Sequence, residues 1–127
     1  MTDITIWAEK GDDGLRDVSL EVLQKALDLS PLYEGRVSAV LIGENCGALA
    51  EELVEYGASR VFAVEDSRLR LYQSEAYAKV LTGVLEEIKP EIVLIGGTTI
   101  GMDLAPAVAA RLRTGLTAHC VDLHVEK

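Results

Sequence analysis

The stretch LIGGTTIGMDLAPAVAARLRTGLTAHC, residues 94–120, runs from an apolar segment through a loop of glycines and threonines into a helical pattern. It predicts a strand at 91–97, a helix at 103–113 and another strand at 115–126. A strand that turns through glycines into a helix is the repeating unit of α/β domains, and such turns often bind a phosphate at the helix N-terminus. The stretch therefore indicates both a fold class and a first candidate site.

The same alternation of strand and helix extends back to the N-terminus. Near-continuous runs of Val, Ile and Leu in the middle strands indicate burial on both faces, which is typical of a parallel sheet covered by helices. We expect a doubly wound, mainly parallel five-stranded α/β sheet of order 3-2-1-4-5 with helices on both faces, because the longest helix returns the chain across the sheet. The predicted elements are strands at 3–8, 36–43, 59–65, 91–97 and 115–126, and helices at 17–29, 45–57, 70–89 and 103–113.

Local residues predict where two of these helices begin and end. Asp17 and Ser19 are both candidate caps of the first helix, and Pro31 is expected to end it, because the residue before a proline avoids the helical conformation. Asp103 is the expected N-cap of the last helix. Pro106 then falls in the first helical turn, where a missing N–H costs little.

Composition limits the classes of function. The chain has 127 residues, 49% of them hydrophobic, so we expect one domain over 1–127 with its own core. The formal net charge of −9 disfavours binding to nucleic acid. No apolar run approaches the ~20 residues that cross a bilayer, and the N-terminal residues do not form a secretory or transit peptide. We therefore expect no membrane insertion and a cytoplasmic location.

The loop after the fourth predicted strand lies where doubly wound proteins bind ligands. Its glycines allow close backbone approach and its threonines supply donors, so the candidate cofactor-binding residues are Gly96, Gly97, Thr98, Thr99, Gly101 and Asp103. However, the loop contains no lysine or arginine, and it matches neither GxGxxG nor GxxxxGK[ST]. An aspartate cap would also place a negative charge where a phosphate would lie. We therefore expect a structural turn rather than a nucleotide site.

Possible metal ligands occur on the last predicted strand. Cys120 and His124 share a face but lie roughly 13 Å apart on a strand, which is too far for one zinc ion, and His119 points the other way. Cys46 and Cys120 form no CxxC pair, so both are expected to be reduced and buried. We predict no metal site.

Two carboxylates, Glu65 and Asp66, follow the third predicted strand. A magnesium or catalytic site like that of response regulators would also need an acidic residue after the first strand, which Glu9 supplies, and a lysine after the fifth, which is absent. We therefore interpret these residues as a solvated loop and predict no catalytic residues. Trp7, the single tryptophan, is expected to pack in the core.

The C-terminal stretch resembles the first domain of the electron transfer flavoprotein alpha subunit. That family carries a glycine-threonine loop followed by G-x-DLAP-x-VAARL and TGLTA-x-C. Here the pattern falls on Gly101, Asp103–Pro106, Val108–Leu112, Thr114–Ala118 and Cys120. Upstream, ITIWAE, EYGASRVFAVED and KPEIVLIGGTT match in register, so the resemblance covers essentially the whole chain.

The resemblance implies a part in a larger protein. Electron transfer flavoproteins are alpha–beta heterodimers that carry electrons from flavin dehydrogenases to downstream acceptors. Their FAD is held mainly by a second alpha domain, which is absent from this chain, so the chain alone is not expected to bind FAD. The first domain is implied to be an adenine-nucleotide-hydrolase-like scaffold with a degenerate pocket that pairs with the beta subunit, and not an enzyme.

Some residues depart from the family, and other functions stay open. Met102 and Ala107 stand where arginine is common, which further weakens any phosphate contact. One alternative is a stand-alone adenine-nucleotide-binding module resembling universal stress proteins, although their G-x2-G-x9-G-[ST] pattern is missing. A flavodoxin-like enzyme is another. The last predicted strand, 115–126, runs to the end of the chain, which indicates a module cut from a larger protein or an edge for a partner or a second copy.

Overall fold

The computed structural model describes residues 3–11 and 13–112. Each strand of the main sheet is followed along the chain by a helix, as in βα repeats. A two-stranded hairpin stands between the first strand and the first helix, and a short 3-10 helix, Ser67–Leu69, precedes the third. The strands are β1 (Ile4–Ala8), β2 (Lys10–Gly11), β3 (Gly14–Leu15), β4 (Val37–Gly43), β5 (Arg60–Glu65) and β6 (Ile92–Leu94), and the helices are α1 (Asp17–Tyr33), α2 (Gly47–Glu55), α3 (Ser74–Ile88) and α4 (Thr99–Leu112).

Four strands form one parallel sheet in the order β5-β4-β1-β6. Ile4 of β1 is aligned with Val37 of β4 on one side and with Ile92 of β6 on the other. This arrangement confirms the predicted order of the first four strands, in which the chain crosses back over β1 through α3. The fifth predicted strand, 115–126, lies outside the described residues.

Buried side chains fill a separate layer on each face of the sheet. Successive residues of a strand point to opposite faces, so Ile6 packs toward α1 and α2 whereas Trp7 packs toward α3 and α4. Trp7 is 3% exposed, which confirms its predicted place in the core. All residues of β1 and β4 are buried, while β5, at the sheet edge, is half exposed. The helices therefore cover both faces, as predicted.

Helix α1 differs from its prediction at both ends. Neither Asp17 nor Ser19 caps it: the N-cap is Arg16, and the Ser19 hydroxyl donates to the Glu9 carbonyl, 2.7 Å away. The helix also continues through Pro31 to Tyr33. Pro31 cannot donate to the carbonyl of Leu27, but the neighbouring Ser30 hydroxyl donates to that oxygen at 3.2 Å. The side-chain bond replaces the backbone bond that the proline removes.

Helices α2 and α3 are both shorter than predicted. α2 ends at a Schellman motif, in which Gly57 adopts φ +119° and the Ala58 N–H donates to the Leu53 carbonyl, 3.1 Å away. α3 begins at Ser74 instead of residue 70. No helix among the described residues is long and apolar enough to cross a membrane.

Candidate functional site

The loops after β1 and β6 meet at the carboxyl edge of the sheet. From β1 the chain first moves to one side, to β4 and β5, and later returns to the other side, to β6. The reversal of direction creates a crevice between neighbouring loops, which is the usual ligand position in doubly wound sheets. The predicted candidate residues, 96–103, all follow β6 at this crevice.

Helix α4 begins at Thr99, four residues before its predicted start. Thr98 is its cap: the Oγ1 atom accepts a hydrogen bond from the Gly101 N–H, 2.9 Å away, and the carbonyl accepts from the Met102 N–H at 2.8 Å. The prediction that Asp103 caps the helix is therefore wrong. Asp103 lies one turn inside α4, where its Oδ2 accepts a hydrogen bond from the Tyr72 hydroxyl at 2.6 Å.

Two glycines of the loop are required for close packing. A Cβ atom on Gly101 would lie 1.9 Å from the carbonyl oxygen of Gly96, so α4 packs directly on the loop backbone. A Cβ atom on Gly96 would lie 2.5 Å from Cγ2 of Val18 in α1. Residues of α1 and α4 therefore pack closely around Gly96, and a side chain at either glycine would collide with neighbouring atoms. Of the other candidates, Gly97 is half-buried and Thr99 is exposed.

A carboxylate that the loop pattern did not indicate lies at the centre of this crevice. Glu9 follows β1 directly and is only 4% exposed. Its Oε1 accepts a hydrogen bond from the Thr98 hydroxyl at 2.5 Å, and its Oε2 is 3.0 Å from the Nε of Arg16. Its backbone carbonyl accepts from the Arg16 N–H at 3.0 Å. Glu9 therefore connects the end of β1 to the N-termini of both α1 and α4.

The electrostatics of the crevice follow from these contacts. The sequence predicts a negative charge in front of α4, and the structure has one, but it belongs to Glu9 rather than Asp103. The structure also supplies a cation, Arg16, which lies between β3 and α1 as the N-cap residue of α1. A carboxylate near a helix N-terminus interacts favourably with the helix dipole, typically by about 0.3–1 kcal/mol. The negative charge near the N-terminus of α4 is thus supplied by a side chain of the protein itself.

Beside the crevice, Tyr72 and Asp103 form a second polar contact. Burial, and then the hydrogen bond to Asp103, raise the pKa of Tyr72 to about 12. Hydrogen bonds from Tyr72 and Ser74 lower the pKa of Asp103. The Tyr72 ring packs edge-on against Tyr77, with ring centres 4.9 Å apart. The hydrogen bond between Tyr72 and Asp103 joins the segment before α3 to the first turns of α4.

A different carboxylate accepts a hydrogen bond at the start of helix α2. Oε1 of Glu65, the last residue of β5, accepts a hydrogen bond from the Cys46 N–H at 2.5 Å. Cys46 is buried and free, as predicted, and burial, followed by the charge of Glu65, raises the pKa of its thiol. Asp66 accepts from the Arg68 N–H at 2.8 Å, and hydrogen bonds from Arg68 lower its pKa to about 2. Both carboxylates therefore stabilise local backbone.

The possible metal ligands of the sequence fall on the last predicted strand. Within residues 3–11 and 13–112, no three histidine, cysteine or acidic side chains are grouped to hold a metal ion. His119, Cys120 and His124 lie outside the described residues, so the predictions made for them remain predictions.

Comparisons of sequence identify one family. The electron transfer flavoprotein domain model matches residues 4–127. The electron transfer flavoprotein alpha subunits of Thermoanaerobacterium thermosaccharolyticum and Megasphaera elsdenii are 42% and 44% identical to this chain over 125 and 123 residues. These alignments cover 98% and 97% of this chain but only 38% and 36% of the relatives. The chain therefore spans little more than a third of the length of these relatives.

Another relative carries a different name, and solved structures share the fold. The acryloyl-CoA reductase electron transfer subunit beta of Anaerotignum propionicum is 39% identical over 98% of this chain and 34% of its own length. A universal stress protein from Archaeoglobus fulgidus superposes with a TM-score of 0.56 at 13% identity, covering 87% of each chain. A universal stress protein in complex with cAMP gives 0.59 at 14% identity, covering 94% of this chain and 97% of that one. Such low identities indicate a common fold alone.

Proposed function

The chain belongs to the electron transfer flavoprotein family, and from that membership we propose that it forms the N-terminal, non-flavin domain of an alpha subunit. Two features support this assignment. Relatives named as alpha subunits align with nearly all of this chain, and the chain accounts for about the share of their length that one domain would occupy. In this proposal FAD is held mainly by the second domain of the alpha subunit and not by residues 1–127.

The domain acts as a scaffold in an electron carrier. It pairs with the beta subunit, positions the FAD-binding part of the alpha subunit, and carries out no bond chemistry. Flavin dehydrogenases are the electron donors of the assembled protein. Names of relatives such as the acryloyl-CoA reductase electron transfer subunit fit a carrier that works beside reductases and dehydrogenases.

One observation carries the proposal that this domain does not hold the flavin. The diphosphate of FAD would need the amides of α4 and a free cation at the crevice. Instead the buried Glu9 carboxylate takes both the Thr98 hydroxyl and Arg16, and Val18 and α4 pack on the backbone of Gly96. The residues present do not fit a diphosphate, so no step of electron transfer is assigned to this crevice.

Three observations on the purified chain test the proposal. In calorimetric titrations with FAD, AMP and ATP, we expect no saturable binding with Kd below about 10 μM, an affinity of roughly 7 kcal/mol. In size-exclusion chromatography with the beta subunit of a close relative, we expect a one-to-one complex. The chain alone should be colourless, because flavin would make it yellow.

A positive control makes the titrations decisive. The universal stress protein solved with cAMP, titrated with cAMP under the same conditions, establishes that the assay detects a nucleotide on this fold. Binding of ATP or AMP by the chain below about 10 μM, together with no complex with the beta subunit, would replace the scaffold with a stand-alone nucleotide-binding module.

A further inference from the structure

We propose that Glu9 is a built-in anion of this domain: its carboxylate fills the position that a nucleotide phosphate would take and closes the crevice from within. The inference deepens the proposed function and rests on it, because it names the residue that keeps a domain of this fold free of flavin. Glu9 is then a specificity-determining residue of the crevice.

The first step is the position of the carboxylate. The Thr98 hydroxyl lies 2.5 Å from Oε1 of Glu9 and 2.9 Å from the N–H of Gly101 in the first turn of α4. The negative charge of Glu9 is therefore separated from the helix N-terminus by a single hydroxyl group. An anionic ligand bound at the carboxyl ends of β1 and β6 would use the same place.

The second step is the set of groups that hold it. Arg16 provides a guanidinium at 3.0 Å, Thr98 provides a hydroxyl, and α4 provides its positive end. A cation, a hydroxyl and a helix N-terminus are the groups that proteins use to bind phosphate. All three already interact with Glu9 or with the hydroxyl bound to it, so the site is complete without a ligand.

The third step is the cost of displacement. Glu9 is 4% exposed, and a buried carboxylate that loses its partners is strongly destabilising. A phosphate that entered the crevice would separate Glu9 from Arg16 and would add a like charge beside it. The side chain thus excludes anions both by occupying the volume and by its charge.

Removing the side chain should convert the crevice into an anion site. In Glu9→Ala, the Arg16 guanidinium and the Thr98 hydroxyl are released together with the volume of the carboxylate. If phosphate binds the folded variant with a Kd of about 5 mM, phosphate at about 50 mM raises its Tm by roughly 5 °C. We expect the Tm of Glu9→Ala to be higher by this amount in phosphate than in chloride of equal ionic strength. The rise that phosphate causes in the unmodified chain is subtracted first.

The double variant Glu9→Ala/Arg16→Gln is the matched control. It has the same space but lacks the cation, so its Tm should rise in phosphate no more than that of the unmodified chain. An equal extra rise in the single and double variants would overturn the proposed site, because the effect would not depend on Arg16. No extra rise in Glu9→Ala would overturn it as well.

A second variant keeps the test decisive if Glu9→Ala does not fold. Glu9→Gln preserves the length of the side chain and an acceptor for the Thr98 hydroxyl, but it releases the charge of Arg16. We expect a smaller extra rise in phosphate, of roughly 1–2 °C. If only this variant folds and phosphate gives it no extra rise, the proposal fails.

The outcomes separate this inference from the proposed function. A chain that does not pair with a beta subunit, but whose Glu9→Ala variant gains phosphate-dependent stability, would contradict the proposed function and leave the role of Glu9 intact. If phosphate raised the Tm of the unmodified chain as much as that of Glu9→Ala, the proposed role of Glu9 would be contradicted, whether or not the chain pairs with a beta subunit.

Discussion

Helices α2 and α4 begin on either side of β1, and each N-terminus has a carboxylate from the end of a neighbouring strand. At α2, the exposed Glu65 binds the Cys46 amide directly. At α4, the buried Glu9 reaches the helix through the Thr98 hydroxyl and is paired with Arg16. Water screens the exposed carboxylate, whereas the buried one depends on a cation and a donor.

The difference predicts unequal sensitivity to mutation. At the α4 corner the buried Glu9 carboxylate depends on both Arg16 and Thr98, so a change in either residue leaves it without one of its partners. The α2 corner is open to solvent, which can replace a lost hydrogen bond. Matched substitutions at the two corners measure this contrast directly.

The largest effect is expected for glycine-to-alanine changes in the first turns of the two helices. In Gly101→Ala the new methyl group would lie 1.9 Å from the Gly96 carbonyl oxygen, and we expect a loss of about 3 kcal/mol in the free energy of unfolding. Gly47→Ala places a methyl group in open space at the start of α2, and we expect a gain of about 0.5 kcal/mol. Urea denaturation of both variants is the measurement. Similar stabilities would contradict the packing at the α4 corner.

The next effect concerns the cap of α4. Thr98→Val keeps the shape but removes the hydroxyl that serves both Glu9 and Gly101, so we expect a loss of about 2 kcal/mol in the free energy of unfolding. Thr99→Val is the control, because Thr99 is exposed and should change stability by less than about 0.5 kcal/mol. If the two variants unfold at the same urea concentration, Thr98 is not the cap.

A smaller effect is expected at α2. Glu65→Gln keeps an acceptor for the Cys46 amide but removes the charge near the helix N-terminus, at a cost of about 0.5 kcal/mol. Glu55→Gln removes the same charge from the last residue of α2, where it is unfavourable, and should stabilise by about 0.3 kcal/mol. Both effects should shrink in high salt. If both substitutions changed the free energy of unfolding in the same direction, a helix-dipole contribution would be ruled out.

The last effect is a titration beside the α4 corner, which changes stability only at high pH. The pKa of Tyr72 is raised from its ordinary value of about 10 to about 12, so the folded state holds this proton to higher pH than the unfolded state does. The stability from this group is complete below pH 10 and is lost as the pH rises toward 12. Asp103→Asn should lower the pKa of Tyr72, as followed by tyrosinate absorbance. Tyr56→Phe, at the exposed C-cap of α2, should leave the Tyr72 step in place.

The sheet could be predicted from the sequence because its determinants are local. The apolar runs of β1, β4 and β6 mark buried parallel strands, and the long helix between β5 and β6 indicates the crossover. Helix ends were less predictable. Pro31 lies inside α1 because the Ser30 hydroxyl replaces the missing bond, and a propensity rule for proline does not include that compensation.

The candidate site could be located but not described. The sequence predicts that the loop after β6 lies at the carboxyl edge of the sheet, but no charge pattern within the loop indicates Glu9 or Arg16. Both Thr98 and Asp103 are good cap residues, and the contact with Glu9 is one that only the folded chain brings about. A charged residue immediately after a largely apolar strand is the one indication in the sequence, since such a residue must be paired if it is buried.

The hydrogen bond between Glu9 and Thr98 joins residues 89 positions apart, which has a consequence for synthesis on the ribosome. The first three strands to emerge, apart from the hairpin, can pair with one another before β6 has been made. During that interval Glu9 has Arg16 nearby but no threonine hydroxyl. We expect cooperative folding to be complete only after α4 has left the exit tunnel, so a pause in translation before that point would leave an intermediate whose Glu9 carboxylate lacks its hydroxyl donor.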